Sequence, residues 1–402
     1  MTIEPVTPPA RGIERAAYVS LLAFAAAPQF SIAAAEALLG ITAALWLALI
    51  IVRRERITVP PMFWPLAAYG GVTLVSSAFS IDPEVSFRDS KQLVLFVIVP
   101  LVYRLLPGRR ALMAVDVIIT VGAINAVYGI VQYGILNFDN LNQRLHGSLG
   151  HYMTYSGVIM LVACLAAARV MFRTHDRLWA ALVMPAIIVA LALTFSRNAW
   201  VGACAGIGLL LVLRDFRLVA LLPVVAGLFI ALAPARISER MYSTFSLTDP
   251  TNVDRLAMAR SGLHIIRKFP LTGVGPDMII RVYPGFRDPG ATKQLNPHLH
   301  NVPLQIAAER GLPALGVWLW FIVTLARDFI RKVRTSPGGS LATAALAGLV
   351  AMLAAGMFEY NFGDSEFLML FLVLITLPYA ADRVPAATAP AEARQTLSLI
   401  HI

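Results

Sequence analysis

Residues 178–213 read LWAALVMPAIIVALALTFSRNAWVGACAGIGLLLVL, two apolar runs joined by the tripeptide SRN at 196–198. A helix crosses the hydrocarbon of a bilayer with about 17–25 apolar residues, so each run has the length of one crossing or close to it. Arg197 is the only charged residue in the stretch. The reading is a helix, a tight turn at one membrane face, and a second helix going back.

Working outward, the same pattern recurs along the chain. Of 402 residues, 58% are hydrophobic and only 14% charged, with mean hydropathy +0.71; soluble domains carry about 25% charge. Apolar runs fall near 16–29, 32–52, 62–80, 90–106, 111–133, 152–172, 178–195, 198–213, 217–233, 313–331, 341–360 and 365–381. The expectation is an all-α integral membrane protein of about 12 transmembrane helices. The opening MTIEPVTPPARGIER is polar and proline-rich and reads as no cleavable signal. Cys164 and Cys204 both lie in apolar runs, which excludes a disulfide framework and disfavours a cysteine metal site.

A net charge of +10 would suggest nucleic acid in a soluble protein, but its distribution follows membrane topology instead. Arg53, Arg54 and Arg56, then Arg104, Arg109 and Arg110, then Arg169, Arg173 and Arg177 mark alternate connections, while the intervening ones hold only Arg88, Lys91, Arg144 and Arg197. The positive-inside rule therefore puts both termini in the cytoplasm. The exception is one long extracytoplasmic loop, 234–302, whose basic excess needs a reason other than topology, since long loops are translocated largely regardless of charge. The organisation expected is nine transmembrane helices over 1–233, the loop with an amphipathic helix over 234–302, a short helix and three further spans over 303–383, and a disordered cytoplasmic tail over 384–402.

Within the loop, DRLAMARSGLHIIRKFP suggests a helix capped by Asp254 and stopped by Pro270. Leu256, Ala259, Leu263 and Ile266 make its apolar stripe, with Arg260 and Arg267 on a neighbouring face, so it reads as lying on or over the membrane. Gly273 and Gly275 form either a backbone nest for an anion or a plain turn. In NPHLHNVPLQIAAERGLPALG at 296–316, Asn301 suits a cap, Pro303 a first helical position, Gly311 a C-terminal cap and Pro313 a new start. That predicts a short helix over 303–310 outside the hydrocarbon, with the spanning helix beginning at Pro313. His300 then stands at a helix N-terminus, where the dipole favours an anion.

The candidates for chemistry are few. His298 and His300 lie at i and i+2, and no set of His, Asp or Glu at ligand spacing accompanies them, so no metal is expected. An imidazole there is either a solvated loop histidine or a base able to take a proton from a hydroxyl. Arg197 is either a snorkelling arginine or an anion ligand, having no acid beside it in sequence. Arg144, in NLNQRLHGSLGHY, is either an interfacial anchor or a member of the same anion site. Glu359, Asp364 and Glu366 flank one outer turn rather than forming a chain of carboxylates across the membrane, which weakens a transporter reading.

SRNAW at 196–200, DRLAMA at 254–259 followed by FPLTGVG at 269–275, and HNVPLQIAAERGLPALG at 300–316 resemble the O-antigen ligase and polymerase superfamily of membrane glycosyltransferases. The resemblance covers about 150–370; before that it rests on hydropathy alone. The glycine at 316 falls two places beyond the tightest form of the family's histidine-asparagine-glycine pattern. The resemblance implies an O-antigen ligase of the bacterial inner membrane, with its site facing the periplasm. It would transfer polysaccharide from undecaprenyl diphosphate to a sugar hydroxyl of lipid A-core, among membrane lipids and without nucleic acid, cofactor or metal. It implies His300 as the general base, Arg197 with Arg255 or Arg260 as ligands of the donor diphosphate, and support from Asn301, His298 and Arg144. The displacement expected is a single inverting one, with arginine charge in place of a metal. A polymerase using the same donor is the nearest alternative, and a lipid-linked sugar flippase or anion transporter a more distant one.

Overall fold

The computed structural model describes residues 8–140, 143–172, 177–221, 227, 235–243, 246, 248–335 and 339–383. The expected tail over 384–402 and most of the expected span over 217–233 lie outside them. Among the described residues the chain is helical, with no β-strand.

Five helices are long and apolar enough to cross a membrane: α2 (Ile32–Arg53), α6 (Arg109–Gly134), α7 (Tyr152–Phe172), α13 (Val302–Thr335) and α14 (Gly339–Gly356). Two shorter apolar helices, α8 (Arg177–Leu193) and α15 (Ser365–Ala381), stand among them. The remaining helices are α1 (Pro8–Ala26), α3 (Phe63–Ala78), α4 (Pro83–Asp89), α5 (Ile98–Leu105), α9 (Arg197–Arg214), α10 (Ala235–Ser243), α11 (Pro250–Lys268) and α12 (Ile279–Phe286). The run expected to span over 90–106 is a 3-10 stretch, Ser90–Val97, that continues into α5. At about 2.0 Å per residue for 3-10 and 1.5 Å for α geometry, the two together still reach roughly 28 Å.

Helix α7 lies at the centre, buried along most of its length, with α14 and α15 packed beside it. Helix α9 packs closely on α14 and α7 through Gly202 and Gly206: a Cβ at Gly202 would come within 2.3 Å of Met160 Sδ and 2.7 Å of the Ala351 carbonyl oxygen. Small residues four apart allow such approach, and close packing drives helix association where apolar burial cannot. The turn expected at SRN is present; α8 ends at Leu193, Phe195 turns the chain at φ 53°, and α9 starts at Arg197. Cys164 is buried and Cys204 exposed, and both are free.

Helix α13 is broken at Gly311, whose φ of 81° and ψ of 170° are not helical, as its sequence context predicts. The residues ahead of the break are clamped by the loop after α11: Val274 N donates to Ala308 O at 3.0 Å, Gly275 N to Glu309 O at 2.8 Å, and Leu312 N to Pro270 O at 2.8 Å. Gly273 and Gly275 thus serve a turn that seats this short helix, and neither amide is left for an anion. Glu309 and Arg310 are buried in protein, with Arg310 Nη1 2.7 Å from Glu309 Oε2 and 3.1 Å from the Tyr360 hydroxyl.

Helix α11 departs from the sequence reading at its cap. Its cap is Asp249, whose side chain accepts from Thr251 N at 3.0 Å and Asn252 N at 3.3 Å, with Pro250 next; Asp254 lies one turn inside and instead accepts from Thr292 N at 3.1 Å. Of the expected apolar stripe, Leu256 is 55% and Leu263 48% exposed, while Ile266 packs against the protein. The packed face is Ala257, Met258, Ser261, Gly262 and Ile265, because Ser261 and Gly262 admit close neighbours: a Cβ at Gly262 would lie 2.8 Å from Leu304 Cδ2. That face combines the apolar Met258 and Ile265 with the backbone clearance that Ser261 and Gly262 provide.

Candidate active site

The site forms at the end of the bundle where α7, α9 and α15 begin, opposite the end where Glu14, Arg53, Glu55 and Arg104 pair. Asn301 caps the short helix ahead of Gly311, its Oδ1 accepting from Leu304 N at 2.9 Å, while its Nδ2 donates to Met357 O at 3.1 Å. One residue earlier, His300 adopts φ 48°, an uncommon conformation for a residue with a Cβ. The bond from Leu299 N to Gln305 Oε1, 2.7 Å, secures the same turn.

His300 Nδ1 lies 3.0 Å and 2.9 Å from the two oxygens of Glu359, which also accepts from Tyr360 N at 3.0 Å. Burial by itself would raise the Glu359 pKa. The hydrogen bond and charge of His300, the Tyr360 N–H and the Arg255 guanidinium outweigh it and hold the carboxyl below its usual range. An ionised carboxylate only accepts, so Nδ1 carries a proton, and in the neutral form of the imidazole Nε2 is the nitrogen with the lone pair. His298, its ring centroid 5.8 Å from that of His300, is pushed down by burial and then by His300.

Arg197 is buried and has acquired an acid: Nη2 lies 3.1 Å from Asp249 Oδ1, and Nη1 donates to Ser243 O at 3.0 Å. It lines a cavity of ≈ 210 Å³ together with Arg144, Arg240, Arg255, Lys293 and His300. Burial is the first cause lowering the basicity of all three of Arg144, Arg240 and Arg255. The charge of Arg197 adds to it in each, and that of Arg144 adds further at Arg240, while Glu359 opposes it at Arg255. A guanidinium remains charged through such shifts, so they measure the cost of crowding cations, which an anion among them relieves. Arg144 also stacks on Tyr152, 4.3 Å from the ring centre.

A second cavity, ≈ 490 Å³, lies on the other side of His300, lined by His151, Asn296, His298, Glu309, Glu359 and Asp364 among others. His300 and Lys293 line both. Asn198, Arg197's neighbour, also borders the two.

Of the residues singled out in sequence, Arg144, Arg197, Arg255 and His300 converge on one cavity, and His298 joins His300 on the other. Asn301 stands beside them as a cap. Arg260 does not converge; its side chain is 58% exposed and lies 3.9 Å from Asp288. The partnership of Glu359 with His300, the arginine at 240 and the Asp249 partner of Arg197 escaped sequence reading. The only signals were the acidic outer turn at 359–366 and the basic excess of the loop. Among the described residues no three His, Cys, Asp or Glu side chains form a metal cage.

No match is found among curated proteins. The sequence pattern of the O-antigen ligase family matches residues 180–319, which includes Arg197, Arg240, Asp249, Arg255 and His300 and ends before Glu359. The match covers about a third of the chain, and what it shows is that this segment is similar to the O-antigen ligase family.

Proposed function

We propose that the protein is an O-antigen ligase that transfers polysaccharide from undecaprenyl diphosphate to a sugar hydroxyl of lipid A-core, at the periplasmic face of the inner membrane, with both termini in the cytoplasm. The observation that carries this reading is the position of His300 in the wall shared by an arginine-lined cavity and a larger polar one. Arginine binds phosphate oxygens in a bidentate fork, so the diphosphate belongs in the first cavity and the acceptor sugar in the second.

His300 Nε2 takes the proton of the acceptor hydroxyl as its oxygen attacks the anomeric carbon of the donor sugar. The bond from that carbon to the phosphate oxygen breaks with its electron pair going to the diphosphate, and the anomeric configuration inverts. Arg197 and Arg255, with Arg144 and Arg240 beside them, stabilise the growing negative charge. Four guanidinium groups supply what a divalent cation would, so the reaction is proposed to be metal-independent. Glu359 fixes the imidazole tautomer and stabilises the imidazolium once the proton has moved, a carboxylate-histidine arrangement familiar from hydrolases.

A lipopolysaccharide gel of a deletion strain tests the reading. Loss of polymer from lipid A-core, with polymer accumulating on undecaprenyl diphosphate, supports the ligase. Lipid A-core bearing single repeat units would instead select a polymerase, and an unchanged gel would reject both.

A further inference from the structure

The larger cavity beside His300 has a charge pattern that the transfer step itself does not require. Its lining contains the carboxylates of Asp89, Asp277, Glu309, Glu359 and Asp364, against the single lysine Lys293. Arg310 offsets two of them from behind, at 2.7 Å from Glu309 and 3.6 Å from Asp89. Glu359 is engaged by His300, and Asp364 caps α15 while accepting from Thr154. Asp277 is exposed at φ 59°, with its own N–H bonded to Glu309 Oε1 at 3.0 Å; its carboxylate accepts no hydrogen bond from the described residues.

Two further lining residues each bury a carboxamide atom that has no partner: Asn296 Nδ2, in a residue 1% exposed, and Asn361 Oδ1, in one 6% exposed. Buried polar groups are ordinarily hydrogen-bonded, and the two residues that carry this unmatched donor and acceptor both line the one cavity, which suits a ligand offering both. A sugar hydroxyl does. Carboxyl groups suit the same ligand, since they accept from hydroxyl donors; burial raises the pKa of Asp89, Glu309 and Asp364, so the like charge that a phosphate or carboxylate substituent would meet is chiefly that of Glu359, held ionised beside His300, and of the exposed Asp277. The adjoining cavity has the opposite character.

We infer that the larger cavity holds an uncharged sugar and rejects one bearing carboxylate or phosphate, with Asp277, Asn296 and Asn361 reading its hydroxyls. This rests on the proposed transfer, in which that cavity takes the acceptor.

The test uses the full chain in lipid nanodiscs and saturation-transfer NMR at neutral pH, with methyl glucoside and methyl glucuronide as probes that share a ring and differ in charge. The glucoside should bind, and the glucuronide about tenfold more weakly or worse, a gap of the size that one like-charge contact produces. Asp277→Asn should narrow the gap, and Asn296→Ala should weaken the glucoside. Glucuronide binding equal to or tighter than the glucoside would overturn the inference, as would tighter binding of methyl glucosaminide or no binding of any probe. Transfer is scored separately. A glucoside that binds but is never extended rejects the transferase and leaves the selectivity standing; equal extension of both sugars does the reverse.

Discussion

His300 Nδ1 and the Glu359 carboxylate face each other at 2.9–3.0 Å, although 59 residues of chain separate them. The pair orients a loop histidine, which in the proposed transfer acts as the base. His300→Ala should therefore lower transfer to lipid A-core by about 10²–10⁴ while leaving donor affinity close to normal. Glu359→Gln should lower turnover by about 10² or more, because an amide can donate to Nδ1 and hold the wrong tautomer. Binding of an undecaprenyl diphosphate analogue measured beside transfer separates the two effects. Near-normal transfer by His300→Ala would remove it from the chemistry.

The same pair sets a stability relationship with a definite sign. Glu359 is held below the ordinary glutamate range, so its contribution is present above about pH 4.3 and lost as pH falls through its lower folded value. At neutral pH His300→Ala strands this buried charge with less to balance it. Adding Glu359→Gln should restore part of the lost melting temperature, since a buried ion without its partner costs more than a neutral group there. Strictly additive losses in a detergent or nanodisc melting series would show the two residues to be uncoupled.

Arg255 and Arg260 should behave differently. Arg255 lines the cationic cavity, and Arg260 is exposed near Asp288. Arg255→Ala is expected to weaken both donor binding and turnover, as is Arg197→Ala, with lysine a partial rescue because it lacks the planar fork. Arg260→Ala should stay within about twofold of the parent, the usual scale for an exposed substitution. A reversed order would place the diphosphate elsewhere.

Gly311→Ala tests the clamp that seats the short helix. At φ 81°, a Cβ would lie 2.1 Å from the Leu271 carbonyl oxygen. The loss should exceed about 2 kcal/mol, combining backbone strain with displacement of that loop. Transfer should fall with it, because His300 and Asn301 precede the same helix. Gly316→Ala, with open space around its Cβ position, serves as the control and should melt like the parent.

A chelator should leave transfer intact if arginine charge is what stabilises the leaving diphosphate. Activity abolished by a chelator and restored by one divalent metal would overturn that part of the mechanism.

Much of the architecture is local and so was legible in sequence: long apolar runs that must be helices in lipid, a tight turn at Arg197, the Asn301 cap, the break at Gly311. Each depends on residues a few positions apart, where periodicity and backbone sterics leave a mark. Which face of α11 packs on the bundle depends on where Ser261 and Gly262 let neighbours approach, a contact that its apolar periodicity does not encode. Arg255 and Arg260 are five residues apart, about 140° around a helix, so one faces the cavity and the other cannot; which one depends on the rotation of α11 against α13. Glu359 reaches His300 and Asp249 reaches Arg197 across 59 and 52 residues. Pairings of that range follow from how helices pack, and they leave no spacing in the chain from which to read them. The sequence alone determined a helical membrane protein with a histidine and arginines in reach of one face. Only tertiary packing decided which arginines share a cavity, which carboxylate holds the histidine, and that one imidazole borders both a chamber lined by arginines and one rich in carboxyl groups.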